Sequence, residues 1–282
     1  MIVARTKKEL KAALPPSQTH GLVPTMGYLH EGHTSLIREA KTRSESVSVS
    51  IFVNPIQFNN AEDFLKYPVD LSRDLELCEK EGVSLVFAPA REEMFPSGDP
   101  DLVMVMPSLG KNLCGKFRPG HFEGVMLIVA RLFHLFDPAF AFFGKKDYQQ
   151  YAIIKRMAYD LDFPVEVIGC ETIREADGLA MSSRNVRLDS RSRDHAGLIF
   201  RAMKIGEKEA REGQTSVAEL KEIMSDVIES GSSNRVEYLE IVDPENLEIL
   251  DTVQGKDGFL IAAAVFSGGV RLIDNLEVKL SG

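Results

Sequence analysis

Through roughly its first 170 residues this chain alternates short β-branched runs with stretches of helical period, and that alternation restricts its fold more than any other feature. VSVSIFV at 47–53 and PAFAFF at 138–143 read as strands covered on at least one face. Strands are predicted over 21–25, 47–54, 85–88, 102–106, 139–143 and 165–169. Helices are predicted over 35–43, 71–81, 124–136 and 146–159. A strand–helix–strand order implies crossovers, and crossovers imply a mostly parallel sheet. The N-terminus, MIVARTKKELKAAL, reads as a short amphipathic helix without the apolar core of a secretory leader.

After Gly178 the texture changes. Two charged amphipathic helices are predicted over 190–213 and 215–231, then strands over 235–242, 258–265 and 270–276. The expected fold class is α/β: a Rossmann-like doubly wound parallel sheet over 1–177, then a smaller C-terminal α+β domain over 178–282.

Charge narrows the partners. A formal net charge of -9 argues against nucleic-acid binding and against an anionic membrane surface. The most apolar stretches, around 125–136 and 259–266, are too short to span a bilayer. Cys78, Cys114 and Cys170 are widely spaced, with no CxxC pair, so reduced thiols in a cytoplasmic protein are expected rather than a zinc site or disulfide framework.

Three segments carry the chemistry. The first, Met26-Gly27-Tyr28-Leu29-His30-Glu31-Gly32-His33, follows the first predicted strand and opens a helix. A doubly wound sheet binds ligands at such a place, and helix N-termini offer unpaired N–H groups to phosphates. The second, Gly144-Lys145-Lys146-Asp147-Tyr148-Gln149-Gln150, again lies at a strand end, where lysine can act as a point charge on phosphate. The third runs from Arg174 to Asn185, with Met181-Ser182-Ser183-Arg184 at its centre. It is polar, flexible-looking, and placed at the expected domain junction, so it reads either as a mobile phosphate clamp or as a plain linker. His20, His134 and His195 lack metal-ligand spacing and read as packing or surface residues, and the Met104/Met106 alternation reads as core packing.

Together with Val53-Asn54-Pro55-Ile56-Gln57-Phe58 and Arg118-Pro119-Gly120-His121-Phe122, these segments resemble the pantothenate synthetases from end to end. The HxGH and Met-Ser-Ser-Arg motifs resemble the wider nucleotidyltransferase superfamily, which includes class I aminoacyl-tRNA synthetases. The resemblance implies ATP-dependent condensation of pantoate with β-alanine through a pantoyl-adenylate, releasing AMP and pyrophosphate. It implies ATP contacts at Met26 to His33, Gly144 to Asp147, Ile173 and Met181 to Arg184. It implies pantoate contacts at Gln57 and Gln150, with Gln57 also beside β-alanine. His33, Lys146, Ser182, Ser183 and Arg184 are the groups assigned to phosphate charge. Mg2+ is expected on the phosphates, with no dedicated protein carboxylates for it, and the family implies a homodimer. Met26 and Phe58 are expected as apolar walls for the pantoate methyls. Two positions depart from the family: Cys114 stands where an acid is expected, and Glu123 where the residue is often basic. Rival readings are a nucleotidyltransferase that leaves AMP on its product, an aminoacyl-tRNA synthetase, and a silent nucleotide sensor.

Overall fold

The structure, a computed structural model, describes residues 1–15 and 19–280, which fall into two compact units. One comprises 1–106, 118–145 and 150–172, and the other 107–117, 146–149 and the chain from Ile173 onward. The chain therefore changes unit at 172/173, and two short stretches upstream of that point group with the second unit.

Six parallel strands form the sheet of the first unit: β1 (Ile2–Ala4), β2 (His20–Thr25), β3 (Ser46–Ile51), β4 (Leu85–Phe87), β5 (Phe140–Gly144) and β6 (Glu166–Cys170). Their order is β1-β4-β3-β2-β5-β6. From β2 the chain winds outward through β3 and β4, then returns to β5 on the opposite side of β2. The reversal opens a crevice at the carboxyl ends of β2 and β5, the topological switch point where such sheets hold ligands. Val23, Val49, Val86 and Phe142 bury completely around the centre of this sheet, with Leu29, Ile37 and Ala40 packed on it from the Glu31–Arg43 helix and the turn before it.

The second unit holds an antiparallel sheet of β7 (Asn234–Val242), β8 (Gly258–Ser267) and β9 (Val270–Lys279), ordered β7-β8-β9. Phe259, Ile261 and Val265 of β8 join Ile199, Met203, Leu220 and Met224 of its helices in one core. The α/β expectation thus holds, with a parallel sheet and a smaller antiparallel one.

Some elements differ from the sequence reading. Ile2–Ala4 is a strand, and the helix begins only at Lys7, where Thr6 and Glu9 form a reciprocal capping box. The stretch 102–106 is no strand: Leu102, Val103 and Val105 are 63%, 64% and 64% exposed, so neither face of the alternation is covered. Met104 and Met106 are only half-buried there, not core. The helix predicted over 190–213 is two helices, Ser190–Ala196 and Leu198–Arg211, parted at Gly197.

Candidate active site

β2 ends in Thr25, whose hydroxyl donates to the Ser50 carbonyl at 2.8 Å and accepts from the Gly27 N–H at 3.2 Å. The chain then turns sharply, with Gly27 and Tyr28 both at positive φ (82° and 51°). Asp74, 1% exposed, fixes that turn by accepting the Tyr28 and Leu29 N–H groups, each at 2.7 Å. Burial pushes the Asp74 carboxyl above its ordinary range, while the two amide bonds pull it back.

His30 caps the following helix: its Nδ1 accepts from the Gly32 N–H at 3.1 Å, and His33 Nδ1 accepts from the His30 N–H at 3.3 Å. A backbone N–H can only donate, so in both rings Nδ1 carries the lone pair and the neutral proton sits on Nε2. The HxGH spacing therefore yields two imidazoles, 4.1 Å apart between centroids, that share one tautomer.

His33 opens on a cavity of about 170 Å³ in the first unit. Met26, Gln57 and Gln150 line it, so four of the residues expected from sequence meet around one space. Its apolar wall includes Phe52, Tyr67, Val125 and Ile128 beside Met26. Phe58 faces a neighbouring groove instead and packs edge-on against Phe64 and Tyr67, at 5.3 and 5.8 Å.

Two buried polar residues of this cavity, Ser50 and Asn54, were not singled out from sequence. Asn54 Nδ2 donates to the Gly124 carbonyl at 3.1 Å and to Gln57 Oε1 at 3.0 Å. Since a carbonyl only accepts, the Asn54 amide is oriented, and it turns Gln57 so that Nε2 is the atom left for a ligand. Asn54 Oδ1 and Ser50 Oγ are buried without a protein partner, as groups awaiting a ligand's polar atoms would be. The available signal was a strand ending in Asn, with Gln three residues later.

The second unit holds Lys146, Asp147, Ile173 and Met181 to Arg184. Ile173 and Met181 are joined by a 2.9 Å bond from the Met181 N–H to the Ile173 carbonyl. Arg174 forks onto Asp274 at 2.6 and 3.0 Å, donates to the Gly178 and Asn275 carbonyls, and lies over the Phe200 ring. Asn185 donates to Glu175 and to the Ala180 carbonyl, so the segment is tightly bonded rather than a loose linker. Ser182 caps the short turn Ser183–Arg187 through the Arg184 N–H, and Ser183 is buried. Burial pushes the Lys146 ammonium below its usual range; Asp274 opposes that shift and Arg184 adds to it. Asn275 holds the Lys146 carbonyl at 2.8 Å.

The boundary between the units passes through the Gly-Lys-Lys-Asp segment: Gly144 and Lys145 belong to the first, Lys146 and Asp147 to the second. Lys145 pairs with Glu171 at 2.8 Å. Cys114 is buried beside Tyr238 and Arg271, at 3.2 and 3.6 Å, and all three cysteines are free thiols. Among the described residues no cluster of three or more His, Cys, Asp or Glu is placed to hold a metal, and no helix is long and apolar enough to cross a membrane.

Residues 2–277 match the Pantoate-beta-alanine ligase family. A pantothenate synthetase of Leptospira interrogans serovar Lai is 50% identical over 284 residues, 99% of each chain. One from Thermoanaerobacter sp. strain X514 is 52% identical over 256 residues, covering 91% of this chain and 89% of its own. The crystal structure of pantothenate synthetase from Thermus thermophilus superposes with a TM-score of 0.94 at 45% identity, over 99% of this chain and 100% of that one. A Francisella tularensis pantoate–β-alanine ligase, crystallised with β-γ ATP and β-alanine, gives 0.83 at 34% identity, over 98% and 97%. The chain therefore belongs to the pantoate–β-alanine ligase family, and is a ligase that joins pantoate to β-alanine.

Proposed function

We propose that this ligase works in two half-reactions, with pantoate held in the cavity beside His33 and ATP laid along the Met26–His33 turn. The observation that carries the reading is the convergence of Met26, His33, Gln57 and Gln150 on one small polar-and-apolar space. The ATP and β-alanine complex of the Francisella relative supports the identity of two substrates.

A carboxylate leaves no good leaving group behind, so amide synthesis requires activation. The pantoate carboxylate attacks the α-phosphate of ATP, forming pantoyl-adenylate and releasing pyrophosphate. The β-alanine amine then attacks the acyl carbon, the C–O bond to AMP breaks, and the amine sheds a proton. Neither step needs a protein nucleophile; the protein positions the reactants and stabilises charge. His33 Nε2–H, Lys146, Ser182, Ser183 and Arg184 donate to the phosphates. The rest of the nucleotide rests on Gly27, Tyr28, Leu29, His30, Glu31, Gly32, Gly144, Lys145, Asp147, Ile173 and Met181. Gln57 and Gln150 hold pantoate, and Gln57 also borders β-alanine. Mg2+ would be carried by the nucleotide's phosphates rather than by a protein cage, and would supply neutralisation of their charge.

The C-terminal domain from 178 acts as a lid that excludes water from the hydrolysable adenylate between half-reactions. The protein works in the cytoplasm as a homodimer. ATP, pantoate and β-alanine supplied together should yield AMP and pyrophosphate in equal amounts, one of each per pantothenate. ADP and phosphate instead, or AMP retained on the product, would overturn the reading.

A further inference from the structure

We infer that Arg118 and His121 are positioning residues for pantoate, holding Gln57 in place through one tautomer of the His121 ring. This rests on the reading that Gln57 binds pantoate. His121 is buried, with Nδ1 2.8 Å from the Gln57 carbonyl and Nε2 3.1 Å from Arg118 Nη1. A guanidinium has only donors and a carbonyl only acceptors. Nε2 must therefore carry the lone pair, and the proton must sit on Nδ1, where it donates to Gln57. The other neutral tautomer would fail at both ends, with N–H facing guanidinium and lone pair facing carbonyl. An imidazolium would fail at the Arg118 end.

The rest of the helix start grips the same turn. Gly120, at φ 81°, launches the helix His121–Phe136. At Gly124 a Cβ would lie 2.7 Å from the Ile56 carbonyl oxygen and 2.8 Å from Gln57 N and Cα, so only a bare α-carbon lets the Pro55–Gln57 turn seat there. The Gly124 carbonyl holds Asn54, which orients the Gln57 amide. Arg118 further bonds Asn59 at 3.3 Å. The backbone of Gln57 is thus tied by His121 and its side chain by Asn54, whereas the cavity wall includes Asn54 and Gln57 but neither Arg118 nor His121. The pair acts on substrate through Gln57. His121 has the opposite tautomer to His30 and His33, so its ring is distinguishable from those two.

Long-range proton–nitrogen NMR of the whole protein labelled with 15N-histidine, assigned by the signal missing in His121→Asn, should show His121 neutral with its proton on Nδ1. A proton on Nε2, or a doubly protonated ring, would overturn the inference. In steady-state kinetics His121→Leu should raise the pantoate KM about tenfold or more, since it removes the shorter of the two bonds to the buried Gln57 carbonyl, at 2.8 Å, and leaves only the 3.5 Å bond from Arg118 Nη2. His121→Asn keeps an N–H at the Nδ1 position and should restore the pantoate KM to near the wild-type value. The ATP KM should stay near wild type in both. Equal pantoate KM values for His121→Leu and His121→Asn, or losses shared with ATP, would reduce His121 to a structural residue and overturn positioning. Gln57→Ala separates the two claims. If it leaves the pantoate KM unchanged, the assignment of pantoate to Gln57 fails, and positioning for pantoate fails with it, whatever tautomer the spectra show.

Discussion

The turn after β2 and the segment after β6 carry similar polar groups, yet opposite charges hold them. In the first a buried anion, Asp74, gathers two backbone N–H groups. In the second a cation, Arg174, gathers two backbone carbonyls and a carboxylate. Burial raises the Asp74 carboxyl more than its two amide bonds and the nearby Arg73 charge lower it; Arg174 is neutralised by Asp274 and backed by an aromatic face. Each arrangement leaves the loop's remaining functional atoms in a fixed shape before any ligand arrives, which is what charge stabilisation without reorganisation requires.

The difference predicts unequal failures. The largest should come from Asp274→Ala, which leaves a mostly buried guanidinium unpaired and should cost about 3–5 kcal/mol in urea unfolding. A loss below about 1 kcal/mol would mean the cation is not what shapes the second segment. Next is His33→Ala, expected to slow adenylate formation by about 10²–10³, the usual cost of one preorganised donor, with the fold retained. A mutant keeping over half the wild-type rate would remove His33 from the chemistry. Smaller again, Gln57→Ala and Gln150→Ala should each weaken pantoate binding by roughly 1–3 kcal/mol and leave ATP binding unaltered by calorimetry. Matching losses for both ligands would misplace the two glutamines. Smallest is Glu171→Ala, which removes Lys145's exposed partner and should shift stability by less than about 1 kcal/mol.

Sequence shows some of this and hides the rest for physical reasons. β2, β3 and β5 are long enough for an apolar run to declare them, and their order placed the HxGH turn at the switch point. Three-residue β1 carries no period to detect. Residues 102–106 have the composition of a strand without a sheet to join. Phe58 shows what periodicity cannot give: at the end of a short 3-10 turn, one residue's difference decides which side of the chain a ring faces. Asp74 was invisible because an acid near the start of an amphipathic helix ordinarily faces water, and only the fold brings it to the amides of residues 28 and 29. The substrate was legible only through family resemblance, since no spacing of apolar residues distinguishes pantoate from another hydroxy acid.

The central claim is that the substrate's own carboxylate breaks the α–β phosphate bond before any amine is needed. Enzyme with ATP, magnesium and pantoate, but no β-alanine, should incorporate labelled pyrophosphate into ATP. That exchange should vanish when pantoate is omitted and collapse in Lys146→Ala. Exchange that persists without pantoate would point to a covalent adenylyl-enzyme and contradict the account. So would the absence of exchange from enzyme fully competent in the three-substrate reaction, because amide formation would then not wait on a separate adenylate.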